Sequence, residues 1–121
     1  MPGWTIGSLL AHLAFWDRLV IERWTRATAD GAVAPPGLSE ALTDIINAAS
    51  QAQWWALPGP VAGAEAIAAA EAVDAYVATL APVQVTTAQT AGLDRLVDRS
   101  RHRAEHLDAI EAALAAAAPS R

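Results

Sequence analysis

A chain of 121 residues with 54% hydrophobic content, much of it alanine, fits a single helix-rich domain with one core of moderate size. Its formal charge of −5, with every basic residue an arginine, argues against nucleic acid as a partner, because phosphate binding wants a concentrated basic face. The lack of cysteine excludes disulfides, thiolate nucleophiles and thiolate metal ligands, so a transition metal here must take imidazole and oxygen.

The first helix is expected to start at Thr5 as N-cap. Ile6, Leu9, Leu10, Leu13, Trp16, Val20 and Trp24 then make one apolar stripe, and Asp17, Arg18 and Glu22 are read as lying opposite it. "ADGAVAPPG" ends this helix near Asp30, since glycine and paired prolines cannot continue it. A second helix is predicted from Ser39 to about Trp55, with Leu42, Ile45, Ile46 and Ala49 inward and "LPGP" as a hard break. A third covers roughly residues 61–80, with Ile67, Val73, Tyr76, Val77 and Leu80 as core. "APVQVTTAQT" reads as loop. Thr90 caps a last helix that continues to about Ala117 before "PSR", with Leu93, Leu96, Val97, Leu107, Ile110 and Leu114 as its core stripe. No segment alternates with the period of a strand. The expectation is an all-α, antiparallel helical bundle forming a single domain over 1–121.

No apolar run reaches the ~20 strongly hydrophobic residues of a membrane span, and the first residues lack a signal-peptide pattern. A cytoplasmic protein without a membrane partner is expected.

The chain has three histidines, His12, His102 and His106. Positions four apart lie nearly above one another on a helix, so His102 and His106 can offer two imidazoles to one ion. His12 flanks the first stripe one turn before Trp16. Spacing leaves two readings open: a three-nitrogen metal site with an open position, or three packed histidines. An unpartnered imidazole among large apolar side chains carries a free-energy cost, which favours the first.

The segment "GWTIGSLLAHLAFWDRLV" resembles the tryptophan-led helix of the DinB-like bundle proteins, a superfamily that includes mycothiol- and bacillithiol-dependent transferases. "HRAEHLDAIEAAL" is similar to that family's last helix. The resemblance implies a DinB-like four-helix bundle whose metal ligands fall on His12, His102 and His106. It further implies a divalent ion, zinc or nickel, and a thiol transferase or hydrolase acting on a small electrophilic molecule, with mycothiol as a possible co-substrate. The family carries a helix before the Gly-Trp turn. The sequence opens at that turn, so a shortened bundle completed by a homodimer partner is expected.

Other roles follow from position. Arg95 and Arg99 are candidates to hold an anionic substrate, and Trp16 to wall the pocket. Asp98 is a candidate to orient a ligand histidine. Glu105 is read as a solvated ion-pair partner, and Trp54 and Trp55 as a roof, as core filling or as dimer contact. No serine–histidine–acid set or phosphate loop is present, so any catalysis would run through the metal. The alternative is a non-catalytic bundle that binds a small molecule or serves as an interaction module.

Overall fold

The computed structural model describes residues 3–117, and among these it contains five α-helices, one 3-10 turn and no strand. In chain order they are α1 (Ile6–Ala29), α2 (Glu40–Ala56), α3 (Gly59–Ala78), α4 (Pro82–Thr90), the turn Asp94–Leu96 and α5 (Ser100–Ala117). The all-α bundle expected from the sequence is what forms. The "PSR" terminator lies outside the described residues.

Local chemistry explains the helix ends. The Thr5 hydroxyl accepts from the Ser8 N–H at 3.0 Å, and the Ser8 hydroxyl accepts from the Thr5 N–H at 2.9 Å, a reciprocal box that starts α1. Gly31, at φ +77°, stops it and lets the Ala32 N–H reach the Ala27 carbonyl at 2.8 Å. Ser39 caps α2 as predicted, accepting from the Leu42 N–H at 3.0 Å.

α1 is the central element, covered on different sides by α2, α3 and α5. One buried cluster joins Val20 and Trp24 of α1 to Val73 of α3, Ala88 of α4 and Leu96. A second joins Ala11 to Trp54 of α2 and Ala62 of α3. Small side chains at Ala11, Ala14, Ala62 and Ala69 let α1 and α3 approach, and the tryptophans fill what alanine leaves. Trp24 is completely buried, and the area it removes from water stabilises the fold by roughly 4 kcal/mol. Its indole N–H donates to the Leu96 carbonyl at 2.8 Å, which ties the 3-10 turn to α1. That turn forms one wall of the site described below.

Several expectations change. The stretch read as loop is α4. Pro82 suits the first helical turn, the Gln84 side chain accepts from the Ala81 N–H at 2.7 Å, and Gly92 at φ +75° ends the helix. Thr90 is therefore the last residue of α4 and caps nothing that follows. The last helix does not run through from there, because the chain breaks at Gly92 and again at Val97–Arg99 before α5 begins.

That break resets the helical register. Leu107 and Leu114 are exposed, and the inward face of α5 is His102, His106 and Ile110. On α2, Leu42 and Ile45 are 43% and 63% exposed, and Ala49 also faces outward. Of the four expected residues only Ile46 turns inward, and the half-buried or buried positions are Thr43, Ile46, Asn47, Ser50, Gln51 and Trp54. Ile67 is 63% exposed because alanine makes every face of α3 apolar, and the helix buries the Ala62–Ala69–Val73 side instead.

Asp17 is the sharpest correction. It is 3% exposed, not opposite the core. Four residues after Leu13 and three before Val20, it lies on the buried stripe itself. No single described helix is long and apolar enough to cross a membrane. α3 and α4 pass that test together on length and composition, but are bent by 107° at their junction.

Candidate metal centre

α1 presents His12, and α5 presents His102 and His106 one turn apart, toward the same point. The ring centroids of His12 lie 5.5 Å from His102 and 4.8 Å from His106, and those of His102 and His106 are 4.8 Å apart. One potential ligand atom from each ring lies within 4.8 Å of the other two. His12 and His102 are buried, and His106 is half-buried.

Three indoles surround His12, with Trp16 also bordering the cleft. The Trp54 ring stands edge-on at 5.0 Å and the Trp4 ring at 5.3 Å, with Trp16 at 6.3 Å. Trp16 is held in place by donating its indole N–H to the Asn47 side-chain oxygen at 2.8 Å. Of the tryptophan pair, Trp54 roofs His12, whereas Trp55 is exposed. The open side of the three rings faces a cleft of about 500 Å³, walled by Trp16, Asn47, Leu93, Leu96 and Arg95 among others.

The electrostatics keep all three rings neutral at pH 7. Burial, then His106 and Arg99, pull His12 down to about 4. Burial, then the adjacent Arg99 and the other two rings, pull His102 down to about 3. Burial also lowers His106, against an opposing pull from Glu105. A neutral imidazole carries the lone pair that coordinates a metal, so the cluster is already in its ligand form.

Two further observations test the fit to a cation. His12 Nδ1 is buried with no hydrogen-bond partner, an arrangement with a free-energy cost unless something takes the nitrogen. Tetrahedral zinc needs nitrogens roughly 3.3 Å apart, so the rings have to draw together slightly on binding. The donor set, three imidazoles and no thiolate, suits zinc or nickel.

Arg99 holds the cluster from behind. Its Nε donates to Asp17 Oδ1 at 2.9 Å, one terminal nitrogen to His102 Nδ1 at 2.9 Å, and the other to the Arg95 carbonyl at 3.2 Å. A guanidinium only donates, so His102 Nδ1 accepts and the neutral ring carries its proton on Nε2. An ion bound through His102 takes the place either of that proton or of the guanidinium on Nδ1. Asp17 also faces Arg103 at 3.6 Å, and Arg103 continues to Asp74 of α3 at 3.2 Å. A chain of charges thus runs from the surface of α3 to the histidines.

The remaining predicted residues divide. Arg99 borders the cleft but is buried and paired with Asp17, so it does not sit on a solvated face. Arg95 is half exposed beside the cleft and ion-pairs with Glu105 at 3.2 Å. Asp98 is exposed and does not orient an imidazole. Its Oδ1 accepts from the Ser100 N–H at 2.9 Å at the entrance to α5, and the Ser100 hydrogen bonds hold its carboxyl below the usual range. Sequence reasoning missed Asp17 and Asn47, both visible in retrospect as polar residues at helical spacing within an otherwise inward face.

Comparisons of the chain with protein-family models, with curated proteins and with solved structures found no match.

Proposed function

We propose that the chain is a divalent-metal protein of the DinB-like kind, holding zinc or nickel on His12, His102 and His106 and acting on a small molecule admitted through the adjoining cleft. One observation carries this reading. The only three histidines of the chain, from its two ends, meet as a neutral, largely buried cluster with their ligand atoms within 4.8 Å. Bound there, such an ion would act as a Lewis acid that lowers the pKa of a coordinated water or thiol.

The chain's own residues supply the rest. Trp4 and Trp54 pack against His12 outside the cleft and keep water from it there, which strengthens electrostatic interactions at the rings. Arg99, anchored by Asp17, fixes the ring orientation of His102. A thiol-dependent transfer to a small electrophile, with mycothiol as the candidate thiol, is the activity that the two family-like motifs favour.

The test is the metal content of untagged protein by elemental mass spectrometry, wild type beside His102→Ala. About one equivalent of zinc or nickel per chain is expected in the wild type, with loss of most of it in the variant. No metal in either after reloading would return the histidines to packing.

We also propose a second copy of the chain as the cover for Leu42 and Ile45, which are left exposed on the apolar side of α2 among the described residues. Sedimentation equilibrium should give twice the mass of one chain. A monodisperse monomer at all concentrations would sink this.

A further inference from the structure

The cleft beside the histidines concentrates a charge that the rest of the chain lacks. The molecule is acidic, at −5, yet four of its eight arginines, Arg23, Arg95, Arg99 and Arg101, line this one cleft. Only two carboxylates, Asp94 and Glu105, line it with them. Glu105 is engaged by Arg95, and Arg99 is balanced from behind by Asp17. Among the described residues Arg23 reaches only a backbone carbonyl, that of Pro36, at 2.6 Å. Arg101 has no ion-pair partner among the described residues.

The arginines come from separate parts of the chain. Arg23 is on α1, Arg95 on the 3-10 turn and Arg101 in the first turn of α5. Their convergence is therefore a product of the fold and not of a basic run in sequence. They also oppose one another, since burial and then Arg99 lower the pKa of Arg23. Arg23 and Arg101 have no carboxylate partner among the described residues, so an anion entering the cleft would relieve them, and guanidinium groups hold carboxylates with paired hydrogen bonds.

Thr43 and Asn47 of α2 and the three histidines add polar lining, and an apolar strip completes the wall. Trp16, Val20, Leu38, Leu93 and Leu96 face the same space. At about 500 Å³ the cleft is in the range of small-molecule sites and far too small for a nucleic-acid groove.

We infer that this cleft binds a small organic anion, a carboxylate attached to an apolar body, with Arg23, Arg95 and Arg101 holding the charge and the Trp16–Leu93 wall holding the body. This rests on the proposed reading of the histidines only for what is done to the ligand. The binding itself needs no ion.

The probes are phenylacetate and its neutral isostere phenylacetamide, titrated by calorimetry into the full chain. Each is measured after chelation and after zinc loading, on wild type and on the Arg95→Gln/Arg101→Gln double variant. Both replaced side chains are exposed, and circular dichroism checks that the variant keeps its helices. In chelated wild type, phenylacetate is expected to bind at least about tenfold more tightly than the amide, and the variant to lose that preference.

Equal affinity for acid and amide would overturn the inference. So would acid binding that appears only with zinc and is unchanged in the variant, because the carboxylate would then be a metal ligand alone. Either result leaves the metal reading standing. An absence of bound zinc, with the acid preference intact in the chelated protein, would remove the metal reading and keep this one.

Discussion

Replacing Asp17 with asparagine is expected to lower the unfolding free energy by about 3–5 kcal/mol, the usual cost of leaving a buried charge without its partner. The Asp17 and Arg99 side chains are 4% and 5% exposed, and their 2.9 Å contact lies between α1 and the start of α5. Water cannot replace the lost carboxylate there. Against the ~5–15 kcal/mol total typical of a domain, such a loss brings the fold close to its threshold. The mirror substitution, Arg99→Met, should cost less, because Asp17 still faces Arg103 at 3.6 Å. The double variant Asp17→Leu/Arg99→Met should recover much of the difference, since an apolar pair of similar volume avoids both desolvation costs. Urea unfolding of the three variants measures this. A loss under ~1 kcal/mol for Asp17→Asn would mean that solvent reaches the pair and the network is not buried in solution.

The same network shows which parts of this molecule its sequence reveals. α1 was legible almost to the residue, because a stripe of large side chains, a Thr/Ser cap and a glycine stop all agree. α4 was not, because its Val, Thr and Gln residues carry no apolar period. Its existence depends on Pro82 at one end and Gly92 at the other. α2 shows the opposite failure. Leu42 and Ile45 of its apolar stripe are exposed, and the inward side mixes Ile46 and Trp54 with Thr43 and Asn47, the two polar residues that wall the cleft.

The site divides in the same way. The two histidines four apart on α5 and the histidine on α1 are periodic features and could be found. That α5 brings them against α1 is a consequence of the bundle. What spacing could not supply was the partner of each charge. Arg99 and Asp17 are 82 positions apart, and nothing local says that either is buried. A charged residue on an apolar stripe is the available warning, and it is better read as half of a buried pair than as an error in the stripe.

Acid should act on this protein through its histidines, with a sign that follows from the depressed values. In the unfolded chain each imidazole titrates near its ordinary 6.5, whereas in the folded chain His12 titrates at about 4 and His102 at about 3. Between those limits the unfolded state binds protons that the folded state refuses. Stability is therefore fully present above about pH 6.5 and falls as the pH drops toward 4, by up to ~1.4 kcal/mol per pH unit for each such group. Two histidines acting together give a loss of several kcal/mol across the window. Thermal unfolding of chelated protein from about pH 7 down to about pH 4 measures it, and His102→Gln should flatten the slope by close to one proton. Zinc adds the decisive comparison. Because protons compete for His12 only near about pH 4 and for His102 only near about pH 3, and burial lowers His106 in the same direction, the zinc-dependent rise in Tm should persist below about pH 6.5, where ordinary histidine ligands are already protonated. A zinc effect that fades at about pH 6.5, together with an unchanged acid slope in His102→Gln, would mean that the rings are solvated and titrate freely. The three imidazoles would then be surface groups that happen to be neighbours, without the burial that makes them a site.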